Sequence, residues 1–144
     1  MVVVRKSKTV LGFDFGVKYI GIAVGSTEPV MAHPLSQLVI KEEIPWEEIA
    51  KLIREWRPAV LVVGMPLNMD GTEQPITQLA RQFLDALTER FKLPVFAVDE
   101  RLTTVEARAR LFSVGGIRAL QKKAVDSVAA QLIVETWLEN TTNE

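Results

Sequence analysis

Hydrophobic and polar positions divide the chain into strand-like segments followed by alternating helix-like and strand-like ones. Val10 to Phe15 and Ile20 to Val24 read as strands joined by a tight Gly16-Val17-Lys18-Tyr19 turn, and Leu35 to Ile40 adds a third. This opening is an antiparallel meander. Pro45 then starts a helical pattern in which Trp46, Ile49, Ala50, Ile53 and Trp56 recur at helical spacing, so both tryptophans read as packing residues, and Pro58 stops it. Ala59 to Val63 is a continuous apolar run of the kind buried on both faces.

Beyond the turn-rich GMPLNMDGTEQ, Pro75 begins a helix whose Ile76, Leu79, Ala80, Phe83, Leu84 and Leu87 share one face. Pro94 to Val98 is another short buried strand. Thr103 precedes Glu106 at capping-box spacing, which predicts a helix reaching about Phe112, and Gly115-Gly116 breaks it. IRALQKK reads as a mobile basic connector, and Val125, Val128, Ala129, Leu132, Ile133 and Trp137 mark a last helix. The order predicts an α/β layer fold in one domain over residues 1–144, with a mixed sheet of antiparallel strands first and parallel strands joined by right-handed crossovers afterwards.

Composition narrows the chemistry. A chain of 144 residues with 48% hydrophobic content suffices for one compact core. It has no cysteine and a single histidine, His33, which excludes a disulfide framework, thiolate chemistry and a polyhistidine metal site within one chain. MVVVRKSK is apolar first and basic second, the reverse of a secretory signal, and AVLVVGM falls short of the roughly 20 residues that a helix needs to cross a bilayer. A soluble, cytoplasmic protein without a membrane partner is the expectation. The net charge of −1 announces no polyanion, although local basic clusters remain able to bind one.

Against this background Asp14 stands out, because a carboxylate inside the apolar run VLGFDF needs a cation, a donor or water. Functional groups collect beyond the carboxyl ends of parallel strands, where Asp99 and Glu100 directly follow a predicted strand. Asp126, early in the last helix, lies at the edge of its apolar stripe. Three carboxylates without histidine or cysteine form an oxygen-rich site suited to Mg²⁺ or Mn²⁺. Each also has a plainer account. Asp14 alone would suit acceptance of backbone hydrogen bonds in the Gly16 turn, Glu100 a surface pair with Arg101, and Asp126 the positive end of its helix dipole.

VLGFDFGVKYIGIAVG, VVGMPLNMDGTEQP, VDERLTTVEARARLF and KKAVDSVAAQLIVETWL, in that order, resemble the YqgF family, also called RuvX, of Holliday-junction resolvases and pre-ribosomal RNA nucleases. The resemblance departs at Tyr19 and Ser26, where many members carry an arginine and an aspartate. It implies an RNase H-like fold, a mixed five-stranded sheet with helices on both faces. It also implies a nuclease in which Asp14, Glu100 and Asp126 bind the divalent metals, with Asp99 the alternative to Glu100. Strand alternation turns neighbouring side chains to opposite faces, so one of that pair faces the metals, and Glu100 is the choice.

Lys18, Arg101, Arg118, Lys122 and Lys123 are the candidate phosphate contacts, and Asn68 and Asp70, with Gly71, form a loop that either shapes substrate or simply turns the chain. The implied substrate is structured RNA, the 5′ end of precursor 16S RNA on ribosomal particles, or else branched DNA. Junction resolution requires a homodimer, whereas RNA trimming is open to a monomer. Two other readings stand beside it. One is a structured-RNA-binding maturation factor that does not cut. The other is an ATPase, since DFGxxxxGIA also resembles the phosphate hairpin of actin and sugar kinases, whose nucleotide lies between two related domains.

Overall fold

A computed structural model of the chain describes residues 7–102 and 122–142, with the side chains of 7–101 and 128–141. The elements are β1 (Thr9–Phe15), β2 (Tyr19–Thr27), β3 (Val30–Val39), α1 (Trp46–Trp56), β4 (Val60–Met65), α2 (Pro75–Phe91), β5 (Val95–Asp99), a 3₁₀ turn (Glu100–Leu102) and α3 (Lys122–Thr142). The predicted helix from Thr103 to Phe112, and Arg118 with it, lies outside the described residues.

Among the described residues five strands form one sheet in the order β3-β2-β1-β4-β5. β2 pairs antiparallel with both β1 and β3, while β1, β4 and β5 run parallel. β1 is thus the central strand, and the carboxyl ends of β1, β4 and β5 lie at one edge.

Strand alternation sorts the core into two layers. Leu11, Phe13, Ile20, Ile22, Leu61 and Val63 pack with Ile49 of α1 and with Ala80, Phe83 and Leu87 of α2. Val10, Ala23, Val62 and Val98 pack on the opposite face with Ala130, Ile133, Val134 and Leu138 of α3. Helices therefore cover both faces. Gly12 lets α3 come close: a Cβ there would collide with Val134 and lie 3.5 Å from the Ala130 carbonyl oxygen. No helix among the described residues is long and apolar enough to cross a membrane.

Several expectations are corrected. β3 starts at Val30 rather than Leu35, and Pro34 lies inside it, because at a sheet edge a residue without an N–H removes no needed ladder bond. Trp56 has the helical period of the core, but it is the last residue of α1 and is 40% exposed. On α2, Leu79 is exposed and Thr77 is buried instead, its hydroxyl donating to the Pro66 carbonyl and accepting from the Gln74 N–H at 3.0 Å. β5 is the outer strand of the described sheet, and its Phe96 is half-exposed against Trp137, with ring centroids 5.8 Å apart. Lys122 and Lys123, expected in a connector, are the first residues of α3.

Candidate active site

Asp14 is the penultimate residue of β1, and the residue opposite it on β2 is Gly21. Phe13 is in register with Val63 and faces α1 and α2, so Asp14 and Gly64 turn to the α3 side. Glu100 follows β5 as the first residue of the 3₁₀ turn, and its side chain folds back over Gly64. A Cβ on Gly64 would stand 2.7 Å from its Cγ and 2.8 Å from its Cδ. The missing side chain of β4 is the space that Glu100 fills.

Two carboxyl groups meet there. Burial raises the pKa of Asp14, opposed in part by a hydrogen bond from Glu100. Burial also raises Glu100, with the Asp14 charge, the Asp14 hydrogen bond and the Asp99 charge adding to it, and takes it to about 10. Both carboxyls are therefore raised above their usual range and linked by a hydrogen bond. Like charges at close range, away from water, hold a proton in place of a cation.

The donor set passes the test for a divalent ion: both groups are hard oxygen donors, and the proton between them marks where positive charge is favourable. Two carboxylates make an incomplete metal cage, and among the described residues no group of three potential ligands occurs.

Asp126 is the third expected ligand, and its side chain lies outside those residues. Its place on α3 can still be stated. Leu138 and Val134 lie over Gly25, which pairs with Val10, and Val134 and Ala130 lie over Gly12. The helix thus advances along β1 toward Asp14 as its numbering falls. One further turn beyond Ala130 brings position 126 to that end of the sheet.

Residues 8–140 match the family model described as "RuvX: Holliday junction resolvase". The chain belongs to the RuvX family. It is 56% identical over 135 residues to a protein of Shewanella oneidensis named "Putative pre-16S rRNA nuclease", covering 93% of this chain and 96% of the other. A protein of the same name from Aeromonas hydrophila is 54% identical over 134 residues, with 92% and 96% covered. Among solved structures, RuvC of Thermus thermophilus aligns with a TM-score of 0.57 at 15% identity over 94% of this chain and 96% of that one. The yeast mitochondrial Holliday junction resolvase Ydc2 aligns at 0.53 and 14% identity over 90% and 77%. At such identities the structures show the fold, and it is the RNase H-like one.

Elsewhere around the site of this RuvX chain, Asp99 turns away from the carboxyl pair. Its Oδ2 accepts from Arg101 Nη2 at 2.6 Å and Nε at 2.9 Å, and its Oδ1 accepts from the Arg101 backbone N–H at 2.9 Å. These bonds hold the Asp99 carboxyl below its usual range. The loop between β4 and α2 is tied within itself: Asp70 Oδ1 accepts from the Thr72 N–H and hydroxyl at 2.9 and 2.6 Å, and Asn68 Nδ2 donates to Thr72 Oγ1 at 2.9 Å. Asn68 and Asp70 are exposed, with Asp70 lowered mainly by Thr72.

Lys18 is exposed in the β1–β2 turn at the carboxyl end of β1. Lys122 and Lys123 stand in the first turn of α3, with side chains outside the described residues. Two contributors escaped the sequence reading. Gly64 becomes visible only once β1, β4 and β5 are in register, and the hold of Arg101 on the loop requires the fold itself.

Proposed function

We propose that this chain is a metal-dependent endonuclease that hydrolyses phosphodiester bonds in precursor 16S rRNA, acting in the cytoplasm on ribosomal particles. The observation that carries the reading is the half-buried, hydrogen-bonded Asp14–Glu100 pair at the carboxyl end of the central strand. The names of its RuvX relatives supply the substrate.

Asp14, Glu100 and Asp126 are the residues that would hold Mg²⁺ or Mn²⁺, which when bound polarises a phosphate and generates a nucleophile from water near neutral pH. The protein's own part is proton and charge management. The Asp14–Glu100 pair holds protons more tightly than free carboxylates do, so a cation would compete with those protons and loading depends on pH. Lys18, with Lys122 and Lys123 at the start of α3, neutralises backbone phosphates beside the site, so binding weakens as salt rises. These contacts fix position and read no base sequence.

Branched DNA is the second reading, favoured by the family description and by the RuvC fold. It demands a twofold dimer with two sites. The test is cleavage of end-labelled precursor 16S RNA, single-stranded RNA and a four-way DNA junction by wild type and Asp14→Asn, with Mg²⁺, Mn²⁺ or EDTA. Metal-dependent cutting that disappears with Asp14→Asn supports the nuclease, and the preferred substrate chooses between RNA and junction. Full cutting by Asp14→Asn removes Asp14 from the mechanism. Binding of RNA without cutting, indifferent to Mg²⁺, replaces the enzyme with a binding factor.

A further inference from the structure

Arg101 has the charge and exposure of a phosphate contact, yet its guanidinium is already engaged on two sides. One side forks onto Asp99, through Nε to Oδ1 and Oδ2 at 3.1 and 2.9 Å and Nη2 to Oδ2 at 2.6 Å. The other side, Nη1, donates to the Met69 carbonyl at 3.3 Å. Gly71 lets it approach: with φ at +90° and no side chain, its Cβ position lies 3.3 Å from Nη1. The Asp70 carboxylate adds an attractive charge.

The two structures so joined both bear on Glu100. The Arg101 N–H to Asp99 Oδ1 bond closes a turn across Glu100, fixing the backbone that carries its carboxyl. The loop from Pro66 to Glu73 begins two residues after Gly64, the residue on which the Glu100 side chain lies. That loop is a small stiff hairpin, with Asn68 and Thr72 bonded at 2.9 Å, Gly71 donating to Asn68 at 2.8 Å, and Glu73 anchored to Arg81 of α2 at 2.8 Å. Its tip, Met69, is 86% exposed.

We propose that Arg101 is a positioning residue that locks the β4–α2 loop to the Glu100 turn, holding that loop in fixed relation to the carboxyl pair. This rests on the nuclease reading of that site. A planar fork is what the task needs, because a lysine offers one ammonium point and cannot hold Asp99 in two bonds while reaching Met69. A phosphate contact can also use the fork, so loop exchange and Asp99→Asn, rather than Arg101→Lys alone, separate the two roles.

The decisive variants are Arg101→Lys, Arg101→Ala and Asp99→Asn. Each is examined by hydrogen exchange of the loop amides and by kcat and KM on whichever substrate wild type cuts. Positioning predicts that all three raise exchange at Gly71 and Thr72 by about tenfold or more while α2 stays protected. It also predicts that kcat falls by about 10- to 100-fold with KM within about threefold, the scale of a misplacement near 1 Å. Asp99→Asn is the sharpest arm, since losing a negative charge beside Arg101 would aid a phosphate contact. Arg101→Lys with near-normal kcat and loop exchange, together with Asp99→Asn that binds nucleic acid as well as or better than wild type, overturns the proposal. If wild type cuts no substrate the nuclease reading falls instead, and the exchange rates alone decide whether Arg101 holds the loop.

Discussion

Glu100 occupies the space that Gly64 leaves open: a Cβ on Gly64 would lie 2.7 Å from Glu100 Cγ and would also meet Ile133. The Ile133 tip can rotate aside, but the Glu100 side chain is confined by its bond to Asp14. Gly64→Ala should therefore fold with a loss of about 1–3 kcal/mol from overpacking. Its larger effect is on hydrolysis, where displacing one carboxyl of the pair by about 1 Å should lower kcat roughly 100-fold. Urea unfolding and single-turnover cleavage measure the two effects separately. Gly12→Ala, which crowds Val134 rather than a carboxyl, should lose stability with much less change in kcat.

The carboxyl pair makes the metal-free protein sensitive to alkali. Both groups have folded pKa values raised above their unfolded ones, Glu100 from 4.5 to about 10. The folded state thus holds protons that the unfolded state has released. The stabilisation is fully present below about pH 4.5 and declines as pH rises through the window up to about 10. Glu100→Gln keeps the shape and an N–H donor for Asp14 at every pH. In EDTA at pH 8 it should exceed wild type by about 1–3 kcal/mol, because it avoids the cost of protonating a carboxyl that the unfolded chain leaves ionised. At pH 5 the difference should shrink toward zero. Thermal melts at the two pH values check this, and equal differences at both would mean that the proton is not shared as described.

Asp14 was legible because a charge in an apolar run needs a partner, and that argument uses one strand only. The alternation of helices and strands made the layered sheet legible in the same local way. What stayed hidden depends on register and edges. VVGM reads as any buried strand until pairing sets Gly64 level with Val98 on β5, just ahead of Glu100. Pro34 and a half-polar pattern masked the first half of β3, because an edge strand satisfies neither the burial rule nor the full ladder. Trp56 kept the right helical period but stands where α1 runs out. The adjacent acids Asp99 and Glu100 part company at the end of a strand, one toward Arg101 and one toward Asp14.

Phe83 should be the costliest single truncation on the face away from the carboxyl pair. Its ring meets Phe13 edge-on at 5.5 Å, Phe15 at 5.0 Å and Trp46 in a stacked arrangement at 5.7 Å, so one side chain of α2 joins β1 to α1. Phe83→Ala loses the transfer energy of a buried ring and leaves a cavity that three other aromatics cannot fill, a cost of about 3–5 kcal/mol. Phe83→Leu retains most of the volume and should lose about half as much. Equilibrium urea denaturation measures both, and a loss under about 1 kcal/mol for the alanine variant would show that the layer repacks.

Divalent cations should reverse the alkaline loss of stability. A ligand that binds only the folded chain stabilises it by RT ln(1 + [L]/Kd), about 2.7 kcal/mol at a hundredfold excess over Kd. Binding here competes with protons on the carboxyl pair, so the gain must increase with pH where the metal-free protein weakens. Mg²⁺ or Mn²⁺ should accordingly raise the Tm of wild type by several degrees at pH 8 and by much less at pH 5. Asp14→Asn and Glu100→Gln each remove an anionic oxygen donor and should lose most of the rise, whereas Phe83→Leu should keep it on a lower baseline. Calorimetry adds a second readout, since loading should displace protons from the carboxyl pair, visible as a binding heat that changes with the ionisation enthalpy of the buffer. A cation response that survives in both carboxyl variants would place the ion elsewhere on the molecule and detach the Asp14–Glu100 pair from metal chemistry.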